Sequence, residues 1–168
     1  MLRRPLVAVV ALLALMLAPA ACGPDIDIQK SLTITDVISG YYDNGLKDGW
    51  NHLLPSLTFR IANSASSSVT GLELTVAFWQ EGADGEMDSV LVQRIGNDTI
   101  PASGASDPVT VRGTVGYRLE EARADLFTHS LFKDVTAKIF ARRGGRIYPI
   151  GSVKLDHQII PHVKSGRP

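Results

Sequence analysis

Two stretches decide the fold: Leu57-Thr-Phe59-Arg-Ile61-Ala and Leu72-Glu-Leu74-Thr-Val76-Ala-Phe78. In the first, Leu57, Phe59 and Ile61 fall on one side of an extended chain and Thr58 and Arg60 on the other; the second repeats the alternation over a longer run. A period of two is the signature of a half-buried β-strand, since successive side chains point to opposite faces. Asn63-Ser-Ala-Ser-Ser-Ser68 separates the two runs as a polar loop, so an antiparallel hairpin is the expectation for the pair. Working outward, the same pattern recurs over residues 32–38, 90–95, 109–115, 135–141 and 147–155, divided by glycine-rich or polar breaks at residues 81–86, 96–108 and 143–145. Seven strands at this spacing predict an all-β fold, an immunoglobulin-like antiparallel β-sandwich. Leu119-Glu-Glu-Ala-Arg-Ala-Asp-Leu126-Phe is rich in helix formers and predicts a short helix in the crossover between the fifth and sixth strands.

The amino terminus reads differently. Met1-Leu-Arg-Arg4 is basic, residues 6–18 are uninterruptedly apolar, and Pro19-Ala20-Ala21 precedes Cys22, the only cysteine among 168 residues. That order is the order of a secretory signal, and thirteen apolar residues fall short of the roughly twenty needed to span a bilayer as a helix. The position of Cys22 after Ala20 and Ala21 resembles the acylated cysteine of bacterial lipoprotein signals, with Pro19 where Leu is usual. The competing reading is a secretory protein cut after Ala20. On the lipoprotein reading the chain divides into a signal peptide (1–21), a lipid-anchored tether (22–30), the β-sandwich (31–160) and a C-terminal tail (161–168). The protein is then held on a membrane of the bacterial cell envelope by its N-terminal lipid, facing the periplasm or the exterior.

The whole chain carries 17 basic and 17 acidic residues; residues 1–21 hold two arginines and no acid, leaving 15 against 17 in residues 22–168, a net charge of −2. No cluster of Lys and Arg answers to a phosphate backbone, which argues against nucleic acid as a partner. With one cysteine there is no intramolecular disulfide, and the exported domain depends on its apolar core.

The strand ending in Asn63, its serine-rich loop, Val69-Thr-Gly-Leu72-Glu-Leu-Thr-Val76-Ala-Phe78, an acidic glycine loop and Ile100-Pro-Ala-Ser-Gly104 together resemble bacterial extracytoplasmic immunoglobulin-like modules of the FxLYD and late-embryogenesis-abundant types. The likeness covers residues 55–115, with Phe78-Trp79 where those modules have Phe or Tyr followed by Asp. It implies a binding or scaffold module and carries over no catalytic residue.

The groups capable of chemistry are scattered. His157 and His162 would stand about 16 Å apart on an extended chain, and His52 and His129 add no ligand spacing. Glu81, Asp84, Glu86 and Asp88 lack the ordered alternation of a calcium loop and read as a solvated hairpin tip. Asp125, His129 and Ser130 suggest a triad, but helical neighbours diverge by about 100°, so His129 could not take the proton of Ser130. There is no nucleophile elbow and no phosphate-binding glycine loop, hence no expected catalytic residue, metal or cofactor. The segment Gly40-Tyr-Tyr-Asp-Asn-Gly-Leu-Lys-Asp-Gly-Trp50 reads as an interstrand loop whose Tyr41, Tyr42 and Trp50 either plug the sandwich end or form a recognition surface. The functional expectation is a lipoprotein interaction or scaffold module for an envelope protein, not an enzyme. A carrier of a lipid or other small apolar ligand is the alternative, and a hydrolase ranks third.

Overall fold

A computed structural model describes residues 26–92, 95, 99–120 and 122–161. Twelve strands, a one-turn helix and a 3-10 helix follow in the order α1 (Ile28–Ser31), β1 (Leu32–Lys47), β2 (Trp50–Asn63), β3 (Val69–Thr70), β4 (Glu73–Gln80), β5 (Glu86–Val92), β6 (Thr99–Ile100), β7 (Gly104–Ala105), β8 (Val109–Arg112), β9 (Tyr117–Leu119), the 3-10 helix (Arg123–Thr128), β10 (Val135–Arg143), β11 (Arg146–Lys154) and β12 (Ile159–Ile160). One sheet is organised by β2, which pairs with β1 along one edge and with β7, β8 and β9 in turn along the other; β12 adds to the far side of β1 in parallel. The second sheet has the order β11-β10-β4-β5, antiparallel throughout. Seven substantial strands, β1, β2 and β8 in one sheet and β4, β5, β10 and β11 in the other, make the expected β-sandwich.

The apolar phase of each strand faces inward as the alternation requires. Leu57, Phe59, Ile61, Leu74, Val76, Phe78, Val111 and Ile139 are buried between the sheets with at most 2% exposure. Residues of this kind contribute roughly 1.5–3 kcal/mol each by leaving water, which lets a fold without disulfides hold. Two turns set the registers. Asp48-Gly49 joins Lys47 to Trp50 and Gly144-Gly145 joins Arg143 to Arg146, each with both central residues at positive φ, the conformation that matches the twist of a two-residue hairpin.

Four expectations need correction. The runs at residues 57–62 and 72–78 do not form a hairpin: β2 and β4 lie in different sheets. Asn63 turns the chain, its Nδ2 donating to the Ser67 and Pro101 carbonyls at 3.0 Å each and its Oδ1 accepting from Ala65 N. Val69 and Leu72 then bury themselves in the core while β3 pairs with β6, so the connection crosses the sandwich. Residues 40–47 are not a loop but the second half of β1. The predicted helix is a 3-10 turn over Arg123–Thr128; Leu119 belongs to β9, and the turn buries only Leu126 and has no side-chain cap at Ala122. Finally, residues 26–30 are not a free tether: Ile28 is buried, Ile26 packs on the core, and Asp27 caps α1.

Candidate recognition surface

The outer face of the four-stranded sheet is built from the residues between the buried ones. On β10, Ala137, Ile139 and Ala141 are fully buried, which turns Thr136, Lys138, Phe140 and Arg142 outward. The pairings place Trp79 and Lys154 on either side of Thr136, Ala77 and Ser152 beside Lys138, Thr75 and Pro149 beside Phe140, and Glu73 and Ile147 beside Arg142. Leu91 extends the Thr75 row onto β5. Successive rows are about 7 Å apart.

Two open clefts adjoin along this face. One, of about 310 Å³, is lined by Trp79, Glu81, Asp134, Thr136, Lys138 and Lys154, among others. The Lys138 ammonium sits 4.0 Å above the centre of the Trp79 ring, a cation–π contact. The other, also about 310 Å³, is lined by Thr75, Leu91, Phe140, Arg142 and Ile147. Leu91 and Ile147 are 52% and 66% exposed, so this apolar floor is open to solvent.

At the end of the sandwich beyond the first cleft, Asp134 joins two cations. Its Oδ2 lies 2.5 Å from Lys154 Nζ and its Oδ1 2.6 Å from His157 Nε2. Lys154 first and His157 second hold the Asp134 carboxyl below its ordinary range, and Asp134 in turn raises Lys154. The His157 ring stacks on Phe127 with 1° between planes and meets Phe132 edge-on. Behind it, Tyr41, Tyr117, Phe127 and Phe132 pack at centroid distances of 5.3–5.9 Å. Burial pushes the Tyr41 and Tyr117 phenols upward; the Tyr117 hydroxyl donates to the Lys133 carbonyl at 2.6 Å and accepts from Gln80.

The residues singled out from the sequence scatter across this architecture. Tyr41 is fully buried in the aromatic cluster, and Tyr42 is 6% exposed beneath the Arg112 guanidinium, 3.9 Å from its ring centre. Neither belongs to an exposed patch, because Tyr41 packs inside the core and Arg112 covers the Tyr42 ring. Trp50 alone reaches solvent, at 39%, beside Leu46 at the tip of the β1–β2 hairpin. Cys22 and His162 lie outside the described residues. His129 Nδ1 accepts the Leu131 N–H at 3.1 Å, a bond local to its own turn. Among the described residues no three His, Cys, Asp or Glu side chains are grouped to hold a metal ion.

Asp88 departs from the solvated tip to which the sequence assigned it. Glu81, Asp84 and Glu86 are exposed, but Asp88 is a half-buried residue of β5 whose carboxylate accepts from Thr114 N, Val115 N and the Thr114 hydroxyl. It thereby ties the edge of the four-stranded sheet to the turn after β8 in the other sheet. Burial opposes its ionisation, yet the N–H groups of Thr114, Val115 and Ser89 together outweigh that and hold its carboxyl below the ordinary value.

The surface residues Trp79, Lys138, Phe140, Leu91 and Ile147 were missed in the sequence although a signal was present. Phe78-Trp79 and Ile139-Phe140 put large apolar side chains at consecutive positions, and in a strand one of each pair must face outward.

No family model matches the chain, and no curated protein matches it either. Among solved structures it is similar to a Northeast Structural Genomics Consortium target, SoR45, at 15% identity and a TM-score of 0.45, over 84% of this chain and 98% of that one. A protein from Archaeoglobus fulgidus matches at 11% identity and a TM-score of 0.37, over 76% of this chain and 100% of the other.

Proposed function

We propose that the protein is a lipid-anchored module of the bacterial cell envelope that acts by binding a protein partner on the outer face of its β11-β10-β4-β5 sheet. The carrying observation is the pair of adjoining clefts on that face, with Trp79 and Phe140 on their floors and Leu91 and Ile147 left exposed. Aromatic anchors surrounded by charged groups suit protein recognition. The interval between the sheets is filled by Phe59, Ile61, Leu74, Val76, Phe78 and Ile139, which favours surface recognition over carriage of a small apolar ligand between the sheets. The lipid anchor rests on the sequence around Cys22. The resemblance to FxLYD and late-embryogenesis-abundant modules points to binding in the same way.

Site-specific photocrosslinking in intact envelopes tests the reading. A crosslinker at Leu91 or Lys138 is expected to yield one discrete protein adduct, and one at Thr58 or Thr110, on the outer face of the other sheet, none. Adducts confined to Trp50 at the hairpin tip, or equal at all positions, would overturn the assignment of this face.

A further inference from the structure

We infer that the end of the sandwich where β1 begins is a contact surface for anionic lipid bilayers, formed by Lys30, Arg142, Arg143 and Arg146 with Ile147 exposed among them. The topology brings these residues together. Gly151 of β11 packs so closely on Ile34, two residues into β1, that a Cβ there would lie 2.6 Å from Ile34 Cγ1. From Gly151, β11 runs to Lys154, and the chain continues to Gln158, whose carbonyl accepts the N–H of Tyr41, seven residues farther along β1. The opposite end of β11, Arg146, therefore lies at the α1 end of the molecule, and α1 packs beside β11.

The charge at this end runs against the average of the fold. Lys30 and Arg142 have side chains 86% and 57% exposed, and Arg146 is exposed as well. Among the described residues two carboxylates pair with these four cations: Asp27, 3.0 Å from Lys30, and Glu73, 3.7 Å from Arg142. Arg143 and Arg146 have no carboxylate partner among the described residues. At the far end, by contrast, the exposed acids Asp48, Glu81, Asp84, Glu86, Glu120 and Asp125 outnumber the exposed cations Lys47, Arg112, Arg118 and Lys133. A molecule polarised in this way turns its cationic end toward a negative surface. Ile147, 66% exposed and next to Arg146, adds the apolar contact that an interfacial surface uses. The setting rests on the Cys22 anchor of the proposed function. Three residues lie between Cys22 and Ile26, four steps of the chain, so an anchor there keeps this end within about 14 Å of the headgroups.

The test uses the chain of residues 22–168 carrying Cys22→Ser, so that neither a lipid anchor nor the basic, apolar segment of residues 1–21 contributes to binding. Its co-sedimentation is measured with vesicles of phosphatidylglycerol and phosphatidylcholine in equal parts and with vesicles of phosphatidylcholine alone. Binding to the anionic vesicles is expected to exceed binding to the neutral ones. Each basic residue contributes about fivefold, so Arg143→Gln with Arg146→Gln should weaken anionic binding about twenty-five-fold. The charge-keeping pair Arg143→Lys and Arg146→Lys should retain it, which covers the case in which the glutamine variant does not fold. Molar salt, which shortens the screening length to about 3 Å, should abolish the preference. Equal binding to both vesicle types, an equal loss from Lys47→Gln with Lys133→Gln at the far end, or loss in the lysine variant would overturn the inference. So would full competition by inorganic phosphate at constant ionic strength, which would indicate a discrete phosphate pocket instead of a surface.

Discussion

Asp88→Asn should reveal how much of the sandwich depends on one carboxylate. The side chain reaches from the edge strand of one sheet to the turn that follows β8 in the other, where Oδ2 accepts from the backbone of both Thr114 and Val115. The approach is close, since a Cβ on Gly113 would meet Asp88 Oδ2 at 3.1 Å. A hydrogen bond to a charged acceptor contributes about 1.5–3 kcal/mol when buried, and these are half-exposed, so about 1 kcal/mol for each backbone donor is a fair measure. Asparagine keeps the shape but loses the charge, and with its oxygen in the place of Oδ2 its NH₂ group faces the Ser89 N–H that Oδ1 accepts. The expected loss is about 1–2 kcal/mol near neutral pH. The carboxyl is held below its unfolded value, near 3.9, so its stabilisation is fully present above that value and disappears as the pH falls through the folded pKa. Urea denaturation of parent and variant at neutral pH and through the acid range below about pH 4 measures the difference; every other carboxylate is common to both proteins and cancels. The gap should close in acid. A gap that stays constant down to the lowest pH, or is absent at neutral pH, would refute the assignment of the tie to a charged acceptor.

Leu74→Ala and Ile139→Ala, each deleting a fully buried side chain of the four-stranded sheet, should each cost about 2–5 kcal/mol in urea unfolding; a loss within error at both would mean the inward phase is misassigned. Tyr41→Ala removes a buried ring from the aromatic cluster and should cost about 3–5 kcal/mol, whereas Trp50→Ala at the exposed tip should cost under about 1 kcal/mol, so similar losses would contradict the packing described. Cys22→Ser should release the protein from membranes, and intact mass should give a wild-type chain that starts at an acylated Cys22; an unmodified chain starting at Ala21 would exclude the anchor.

The strands were legible because alternation in Leu57–Phe59–Ile61 and Leu72–Leu74–Val76 records burial directly, and burial on one face is what a sandwich strand has in common with any other half-buried strand. For the same reason their partnership was not legible. Two alternating runs look alike whether they lie side by side in a hairpin or face each other across a core, and the distinction rests on the connection. Here it was carried by Val69 and Leu72, apolar residues in an otherwise polar stretch, and by Asn63, whose side-chain bonds bend the chain toward the other sheet. The 40–47 segment misled for the opposite reason. Gly40, Asn44-Gly45 and Asp48-Gly49 all carry turn chemistry, but only the last makes the hairpin; Gly40, at φ 154°, instead allows the close approach of Gln158, whose carbonyl would sit 2.6 Å from a Cβ. That contact is between residues more than a hundred positions apart, beyond the reach of any local pattern.

The same topology constrains how a bound partner would be oriented. β10 runs from Val135, beside the aromatic cluster, to Arg143, at the cationic end; of its outward residues Thr136 and Lys138 line one cleft and Phe140 and Arg142 the other. If the Arg143–Arg146 turn rests on headgroups, the apolar cleft of Phe140, Leu91 and Ile147 lies nearer the bilayer and the cleft of Trp79, Lys138 and Lys154 about 10 Å farther out. A partner would then approach from the side, along the membrane plane, and not from above. The β1–β2 hairpin tip, with Trp50 and Leu46 exposed, would point away from the membrane at the opposite end of a sixteen-residue strand. Lateral binding on the sheet face and contact at the hairpin tip are therefore separable in space, so a substitution at Trp50 should leave crosslinking at Leu91 intact, and loss of both together would mean that the two surfaces belong to one interface.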